Sequence, residues 1–200
     1  MGKELRLVLV LTIICVVSAA VLGWINFLTE PVIKDQRELA KQKALQEVLP
    51  TATEFQAEPA LIEDISQSGV TGIMEIYRGF SGEEQEGFVF TVDQQGYASV
   101  IRMVVGVTLD GKLAGLSVIS QTETPGLGAE VTDEEFLSQP AFRRAKIGDQ
   151  LGVTKDNGEV EAIASATISS RAVVRGVNAA LTAAGLLLAE ENGIGGVSGD

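Results

Sequence analysis

Four hydroxyls crowd one short stretch near the C-terminal end of the sequence: Ser165, Thr167, Ser169 and Ser170, in the run Ala164-Ser165-Ala166-Thr167-Ile168-Ser169-Ser170. A hydroxyl can act as an activated nucleophile, or it can bind or accept a phosphoryl group. The first use needs a base, and the chain contains no histidine. A Ser-His or Cys-His nucleophile and a His-ligated metal are therefore excluded, and a serine hydrolase would have to use a lysine. The lone cysteine, Cys15, allows no disulfide framework or thiolate metal site within one chain. The phosphoryl use fits the surroundings better. A β-like run, Val160 to Ala164, enters the hydroxyl cluster. A helical pattern, expected from about Ser169, leaves it with Val173, Val174, Val177, Ala180, Leu181, Ala184 and Leu188 on one face. The first turn of a helix leaves backbone N–H groups unpaired, and the helix dipole favours an anion there.

A second chemistry-bearing stretch is Gln121-Thr122-Glu123-Thr124-Pro125-Gly126-Leu127-Gly128. Pro125-Gly126 fits the central pair of a type II turn, with Gly126 at positive φ. Gly126 and Gly128 leave backbone amides uncovered, so a flat ligand can come close. Thr122 and Thr124 add hydroxyls, and Leu127 can lie on a ring face. Taken alone, this is also an ordinary loop leaving a strand.

The elements that must position these stretches follow from patterning. Residues Leu7 to Ile25 carry no charge, and the uncharged run reaches Thr29. A helix rising ~1.5 Å per residue over that length spans a ~30 Å hydrocarbon core. Trp24 and Phe27 sit at its far end, as in an aromatic belt. The run is longer than a signal-peptide core, so residues 1–29 are expected to be a cytoplasmic tail and an uncleaved transmembrane helix. Thr12-Ile13-Ile14 is a poor lipidation context for Cys15. Lys3 and Arg6 before the helix and Lys34, Arg37, Lys41 and Lys43 after it leave orientation open. Thr29 as N-cap and Pro31 in the first turn are expected to begin a stalk helix over residues 30–50, ending at Pro50.

Residues 51–190 then read as one α+β domain with a twisted, mostly antiparallel sheet and helices packed on it. Strands are expected at Val70 to Arg78 and Phe88 to Asp93, with an acidic loop from Gly79 to Glu84 between them. Val100 to Leu109 and Leu113 to Ser120 flank Asp110-Gly111, a type I′ hairpin signal. Thr132-Asp133-Glu134-Glu135 reads as a capping box for a short helix closed by Pro140. A second hairpin is expected around Asp156-Asn157-Gly158. Residues 191–200, rich in glycine and acid, read as a flexible tail. After Thr29 the chain holds 13 basic and 26 acidic residues. That balance argues against a nucleic-acid footprint and against a basic lipid-binding patch.

Together the two stretches resemble the FMN-binding domain family, which includes the G subunit of the Rnf electron-transport complex and the C subunit of the sodium-pumping NADH:quinone reductase. The family's Glu-Thr-Pro-Gly-Leu-Gly loop stands intact as Glu123 to Gly128. Its Ser-Gly-Ala-Thr-x-[Ser/Thr]-Ser segment stands as Ala164 to Ser170, followed by Arg171-Ala172-Val173. Length and the Ser-Arg-Ala-Val continuation match the Rnf protein more than the longer quinone reductase one. Three positions depart: Ala164-Ser165 replaces the family's Ser-Gly, and Glu161 replaces its Asp. A serine at the glycine position bears directly on φ and on room for a cofactor.

The resemblance implies an FMN bonded through its phosphate to Thr167, attached from FAD by a separate flavin transferase. Thr167 is then an acceptor, which accords with a chain that lacks histidine. Ser165, Ala166, Ser169 and Ser170 would surround the phosphate, with Arg171 and Arg175 either adding charge or forming surface pairs. The isoalloxazine would lie against Glu123, Thr124, Gly126, Leu127 and Gly128. Glu123 would either touch the flavin or hold the loop by accepting backbone hydrogen bonds. The implied protein is a single-pass subunit in the cell membrane, with its FMN domain extracytoplasmic and no independent turnover. It would pass electrons in a complex coupling ferredoxin:NAD oxidoreduction to sodium or proton movement. Its partners would be other membrane and peripheral subunits, the flavin transferase and membrane lipid, with no nucleic acid. The alternatives are the quinone reductase counterpart, or an anchored extracytoplasmic binding or scaffold domain without covalent flavin.

Overall fold

The computed structural model of the chain describes residues 2–191 and 193, and it divides into two compact units, Met1–Gln42 and Lys43–Asp200. The tail expected over residues 191–200 lies outside the described residues, apart from Glu191 and Gly193.

Helix α1 runs from Lys3 to Val48. Its segment Arg6–Pro31, 26 residues of mean hydropathy 2.7, is long and apolar enough to cross a membrane. The helix does not restart at Thr29. Pro31 lies inside it, and the Thr29 hydroxyl donates back to the carbonyls of Ile25 (2.9 Å) and Asn26 (3.3 Å) instead of capping a new helix. Proline lacks one N–H, which removes a single rung while the ladder continues on both sides.

In the second unit, β1 (Glu54–Ala57), β2 (Ile73–Ser81), β3 (Glu84–Gln95), β4 (Val100–Thr108) and β5 (Leu113–Ser120) form one open sheet in the order β1-β2-β3-β4-β5. Every neighbouring pair is antiparallel. Helices α2 (Pro59–Gln67), α3 (Glu134–Leu137), α4 (Pro140–Arg144) and α5 (Thr167–Glu191), with 3₁₀ turns at Gly128–Thr132 and Thr154–Asp156, complete the domain.

Both faces of the central strands are covered. On one face α5 buries Val173, Val177, Ala180, Leu181 and Ala184 in a core shared with Phe88, Phe90, Val92, Ile101, Met103 and Val105. Each of these valine, leucine, isoleucine, phenylalanine or methionine side chains contributes roughly 1.5–3 kcal/mol relative to exposure, and the two alanines less. Helix α5 is also apolar enough to pass a length test for a membrane span, but more than half of it is buried in this core. On the other face Ala44, Leu45, Val48 and Leu49, at the end of α1, pack with Ala52, Val89 and Val104. Gly106 and Gly115 pair across β4 and β5 beneath Val48. A Cβ on Gly115 would lie 2.6 Å from Val48 Cα, so this seat admits no side chain.

Local turn chemistry differs from the sequence expectation in four places. Residues 79–81 and 84–87 are strand, and only Gly82-Glu83 turn; Gly79 pairs Gly87 under Leu49 and Ala52, so these glycines mark close packing and not a loop. The β4–β5 hairpin forms, but only Gly111 takes positive φ (78°), and its N–H bonds Thr108 O at 2.9 Å. That is a three-residue loop with Gly111 at the bulge position, since type I′ would need Asp110 at positive φ too. There is no capping box: Thr132 Oγ1 donates to Ala129 O at 3.0 Å, Asp133 caps α3 without a side-chain bond, and Pro140 opens α4 after α3 has ended. Finally, residues 160–164 are not a strand. Val153 and Val160 make one isolated parallel bridge, and the Asp156-Asn157-Gly158 segment ends the 3₁₀ turn with Asn157 at φ 60°.

Candidate functional site

Three segments meet at one end of the sheet: the β3–β4 turn at Gly96–Ser99, the Gln121–Gly128 loop leaving β5, and the chain entering α5. They enclose a cleft of about 420 Å³ lined by Tyr97, Glu123, Thr124, Leu127, Gly128 and residues Ser165 to Ser169. Small-molecule sites commonly occupy ~300–1,000 Å³.

Glu123 joins the three segments. It is buried (6% exposed), yet its carboxylate accepts the N–H groups of Tyr97 (3.2 Å), Ala98 (3.0 Å) and Ser99 (2.9 Å), and the hydroxyls of Ser99 (3.3 Å) and Ser169 (2.6 Å). Burial on its own would raise the Glu123 pKa. The bonds from Ser169 and then from the amides of Ser99, Ala98 and Tyr97 outweigh it and hold the carboxyl below its ordinary value. Glycines leave the necessary space. A Cβ at Gly96 would lie 2.6 Å from Glu123 Oε1, and one at Gly128 would lie 2.6 Å from Oε2 and 2.7 Å from Ser169 Oγ. Of the two roles open to Glu123, the geometry displays the loop-holding one.

The loop itself folds as its residues dictate. Gly126 takes φ 73°, and the Leu127 N–H bonds Thr124 O at 3.1 Å, closing a turn on Pro125-Gly126. Gly126 lies outside the cleft lining and serves the turn. Leu127 (40% exposed) faces the cleft, as do Tyr97 (71%) and Ile168 (46%). Three apolar or aromatic side chains left uncovered around one cleft suit a flat, largely apolar ligand.

Helix α5 starts slightly earlier than the sequence pattern suggests. The Ser170 N–H bonds Ala166 O at 3.0 Å, so Ala166 is the N-cap and Thr167, Ile168 and Ser169 form the first turn, whose amides have no intrahelical acceptor. The four hydroxyls divide by role. Ser170, fully buried and outside the cleft lining, donates to Ala166 O and accepts from Ile163 N–H, both at 3.1 Å, fixing the entry to the helix. Ser169 is held by Glu123. Ser165 lines the cleft in the left-handed region at φ 60°. That φ accounts for the family's glycine at this position: the backbone is left-handed there, and a side chain in it costs ~1–2 kcal/mol. Thr167 lines the cleft at the N-terminus of α5, and its Oγ1 accepts a hydrogen bond from Lys155 Nζ at 2.8 Å.

Arg171 forms a surface ion pair and Arg175 bonds glutamine oxygens; neither is hydrogen-bonded to Thr167. The Arg171 guanidinium grips Asp156 through two bonds of 2.7 and 2.6 Å and holds that carboxyl below its usual value. Arg175 bonds Gln95 O at 2.8 Å. Sequence reasoning missed Lys155, Tyr97, Ile168 and Gly96. An exposed tyrosine in a Gly-Tyr-Ala-Ser turn is a weak hint of Tyr97. Nothing local marks Lys155, which reaches Thr167 across 12 residues.

An open antiparallel sheet, a Gly-containing loop and a hydroxyl-bearing helix start around one cleft match a described class: residues 96–182 match the FMN-binding domain family, and residues 5–48 match the RnfG N-terminal region. The G subunit of the sodium-translocating ferredoxin:NAD(+) oxidoreductase complex of Acetobacterium woodii is 34% identical over 183 residues, covering 86% of this chain and 87% of that protein. The G subunit of the proton-translocating complex of Clostridium ljungdahlii is 29% identical, covering 86% of each. In fold, the C subunit of the Na(+)-translocating NADH-quinone reductase of Parabacteroides distasonis aligns with a TM-score of 0.55 at 16% identity, over 77% of this chain and 94% of that one. The chain belongs to the RnfG family, the G subunits of Rnf complexes.

Two expectations follow. Glu123→Gln removes the charge that three amides and two hydroxyls converge on, and should lower stability at neutral pH by about 2–3 kcal/mol in denaturant titration. Because the folded pKa is depressed, the wild-type contribution is full above the ordinary carboxyl value of 4.5 and is lost as pH falls through the lower folded value. The variant should lack that acid-range loss, and an unchanged acid profile would contradict the clamp. Ser165→Gly should stabilise the protein by about 0.5–1 kcal/mol, as relief of left-handed strain exceeds the added freedom of glycine in the unfolded chain. A lower melting temperature would contradict this.

Proposed function

We propose that this protein is a membrane-anchored electron-carrying subunit of an Rnf-type complex, with FMN bonded through its phosphate to Thr167 Oγ1. Within that complex it passes electrons in the coupling of ferredoxin:NAD oxidoreduction to sodium or proton movement, without turnover of its own. Membership of the RnfG family and the apolar Arg6–Pro31 helix support the complex and the anchor.

The observation that carries the covalent assignment is the placement of Thr167. It is the first helical residue of α5, it lines the cleft, and its hydroxyl meets an ammonium group 2.8 Å away. The other three hydroxyls are less suited: Ser169 and Ser170 are buried and bonded within the protein, and Ser165 precedes the N-cap. The residues present fit the group. First-turn amides of α5 suit a phosphate, and Ser165 and Ala166 shape the approach to it. Thr124 offers a polar contact, and Leu127, Ile168 and Tyr97 offer apolar contact to a ring. Gly126 sets the loop turn, and Gly128 leaves room for Glu123. Ser169 and Ser170 act indirectly, through Glu123 and through the N-cap.

FMN, when bound, supplies reversible electron storage, and the protein contributes position and electrostatics. A covalent tether suits an extracytoplasmic domain, where lost FMN is not replaced. The bond is made by a separate flavin transferase, so this chain needs no base of its own beside Thr167.

The test is co-expression with the flavin transferase followed by a denaturing gel viewed under ultraviolet light. A fluorescent band is expected for the wild type and for Thr154→Ala, and a dark band for Thr167→Ala. A dark wild-type band would overturn covalent flavinylation.

A further inference from the structure

Lys155 stands on a firmly built loop. Val153 and Val160, both buried, are bridged in parallel. The Thr154 N–H bonds Val160 O at 2.8 Å, the Val160 N–H bonds Gly152 O at 3.0 Å, and the Gly158 N–H bonds Val153 O at 3.0 Å. The fork between Asp156 and Arg171 then ties this loop to the first turns of α5, one residue from Lys155 and four from Thr167. The lysine is thus delivered to the Thr167 hydroxyl from a fixed base.

The local charges settle what it can do there. Asp156 and Arg171 neutralise one another. Arg175 is turned to Gln95, and the Glu123 charge is taken up by amides and hydroxyls. Among the described residues Lys155 shows no carboxylate partner. In a domain with a large acidic excess, its ammonium is the one uncompensated positive charge touching Thr167 Oγ1. Any atom bonded to that oxygen lies within contact of Nζ.

We propose that Lys155 is the electrostatic partner of the phosphate on Thr167, pairing with its negative charge during attachment and afterwards. The inference rests on the reading of Thr167 as the FMN acceptor. In the attachment step Thr167 Oγ1 forms a bond to the flavin-side phosphorus of a flavin dinucleotide while the pyrophosphate P–O bond breaks. The nucleoside monophosphate leaves with the bridging oxygen, and the hydroxyl proton passes to the transferase. Lys155 donates hydrogen bonds to phosphate oxygens throughout and exchanges no proton, so any cation of similar reach can replace it.

The experiment follows flavin incorporation into the full-length, detergent-solubilised protein by purified transferase, read as in-gel fluorescence against time, with melting temperatures recorded for each variant. Lys155→Met should slow incorporation about tenfold, the cost of one charge-assisted hydrogen bond, at an unchanged melting temperature. Lys155→Arg should restore most of the rate, and Lys146→Met, a surface control, should match the wild type. In flavinylated protein the phosphorus-31 resonance should move in Lys155→Met and stay near its wild-type position in Lys155→Arg and Lys146→Met. A dark wild-type band would overturn the Thr167 reading itself. A fluorescent wild type with Lys155→Met at the same rate and the same phosphorus resonance would overturn the role of Lys155 alone. So would a slow Lys155→Arg of unchanged melting temperature, because charge would then not be what matters.

Discussion

The Glu123 carboxylate is the interaction on which the cleft depends. A buried carboxylate is costly unless its lone pairs are satisfied. Here the amides of Tyr97, Ala98 and Ser99 and the hydroxyls of Ser99 and Ser169 converge on it from two other segments. Because those segments are the β3–β4 turn and the first turn of α5, satisfying one charge fixes the spacing of all the walls. Gly96 and Gly128 crowd against the carboxylate from either side, where no side chain would fit. The Gln121 side chain adds a further tie by accepting the Glu123 N–H at 2.6 Å. The cleft is therefore held by polar contacts at its rim, above an apolar core that α5 shares with the sheet.

The start of α5 is shaped from the other side by two left-handed residues, one of them a serine, which takes that conformation only at a cost. Ser165 occupies a left-handed conformation inside the turn closed by the bonds among Ile163, Ala166 and Ser170. The loop at Thr154–Asp156 uses a second left-handed residue, Asn157, to return the chain towards Val160. The strain at Ser165 lies two residues from Thr167, the pattern expected where a structure over-determines a functional position. The departure from Ser-Gly in the sequence is thus tolerated by the backbone, which keeps the conformation that glycine would take freely.

Much of this was legible in the sequence, for physical reasons that differ from element to element. The span from Arg6 to Pro31 and the face of α5 are strongly periodic or strongly apolar, so composition alone marks them. The β4–β5 hairpin was visible in Asp110-Gly111, although the turn type was not, because Asp110 keeps negative φ. Eight of the ten residues singled out around the two motifs line the cleft; Gly126 and Ser170 are outside its lining, as turn and cap. What the sequence hid were contacts between distant segments. Lys155 reaches Thr167 from a loop in which Val153 and Val160 bridge in parallel, where Asp156-Asn157-Gly158 suggested a hairpin. Tyr97 joins the cleft because Glu123 captures the turn that carries it. The new helix expected to start at Thr29 does not form, because a threonine inside a helix can bond its own preceding turn instead of capping the next.

The central claim is that this frame presents one hydroxyl, Thr167, to the phosphate of a flavin. Trypsin cleavage after Lys155 and Arg171 releases the peptide Asp156–Arg171, which holds Ser165, Thr167, Ser169 and Ser170 together. Tandem mass spectrometry of that peptide from protein made with the flavin transferase tests the claim most directly. The expected result is the added mass of FMN less one water, localised by fragment ions to Thr167. The same added mass on Ser165, Ser169 or Ser170, or an unmodified peptide, would contradict it.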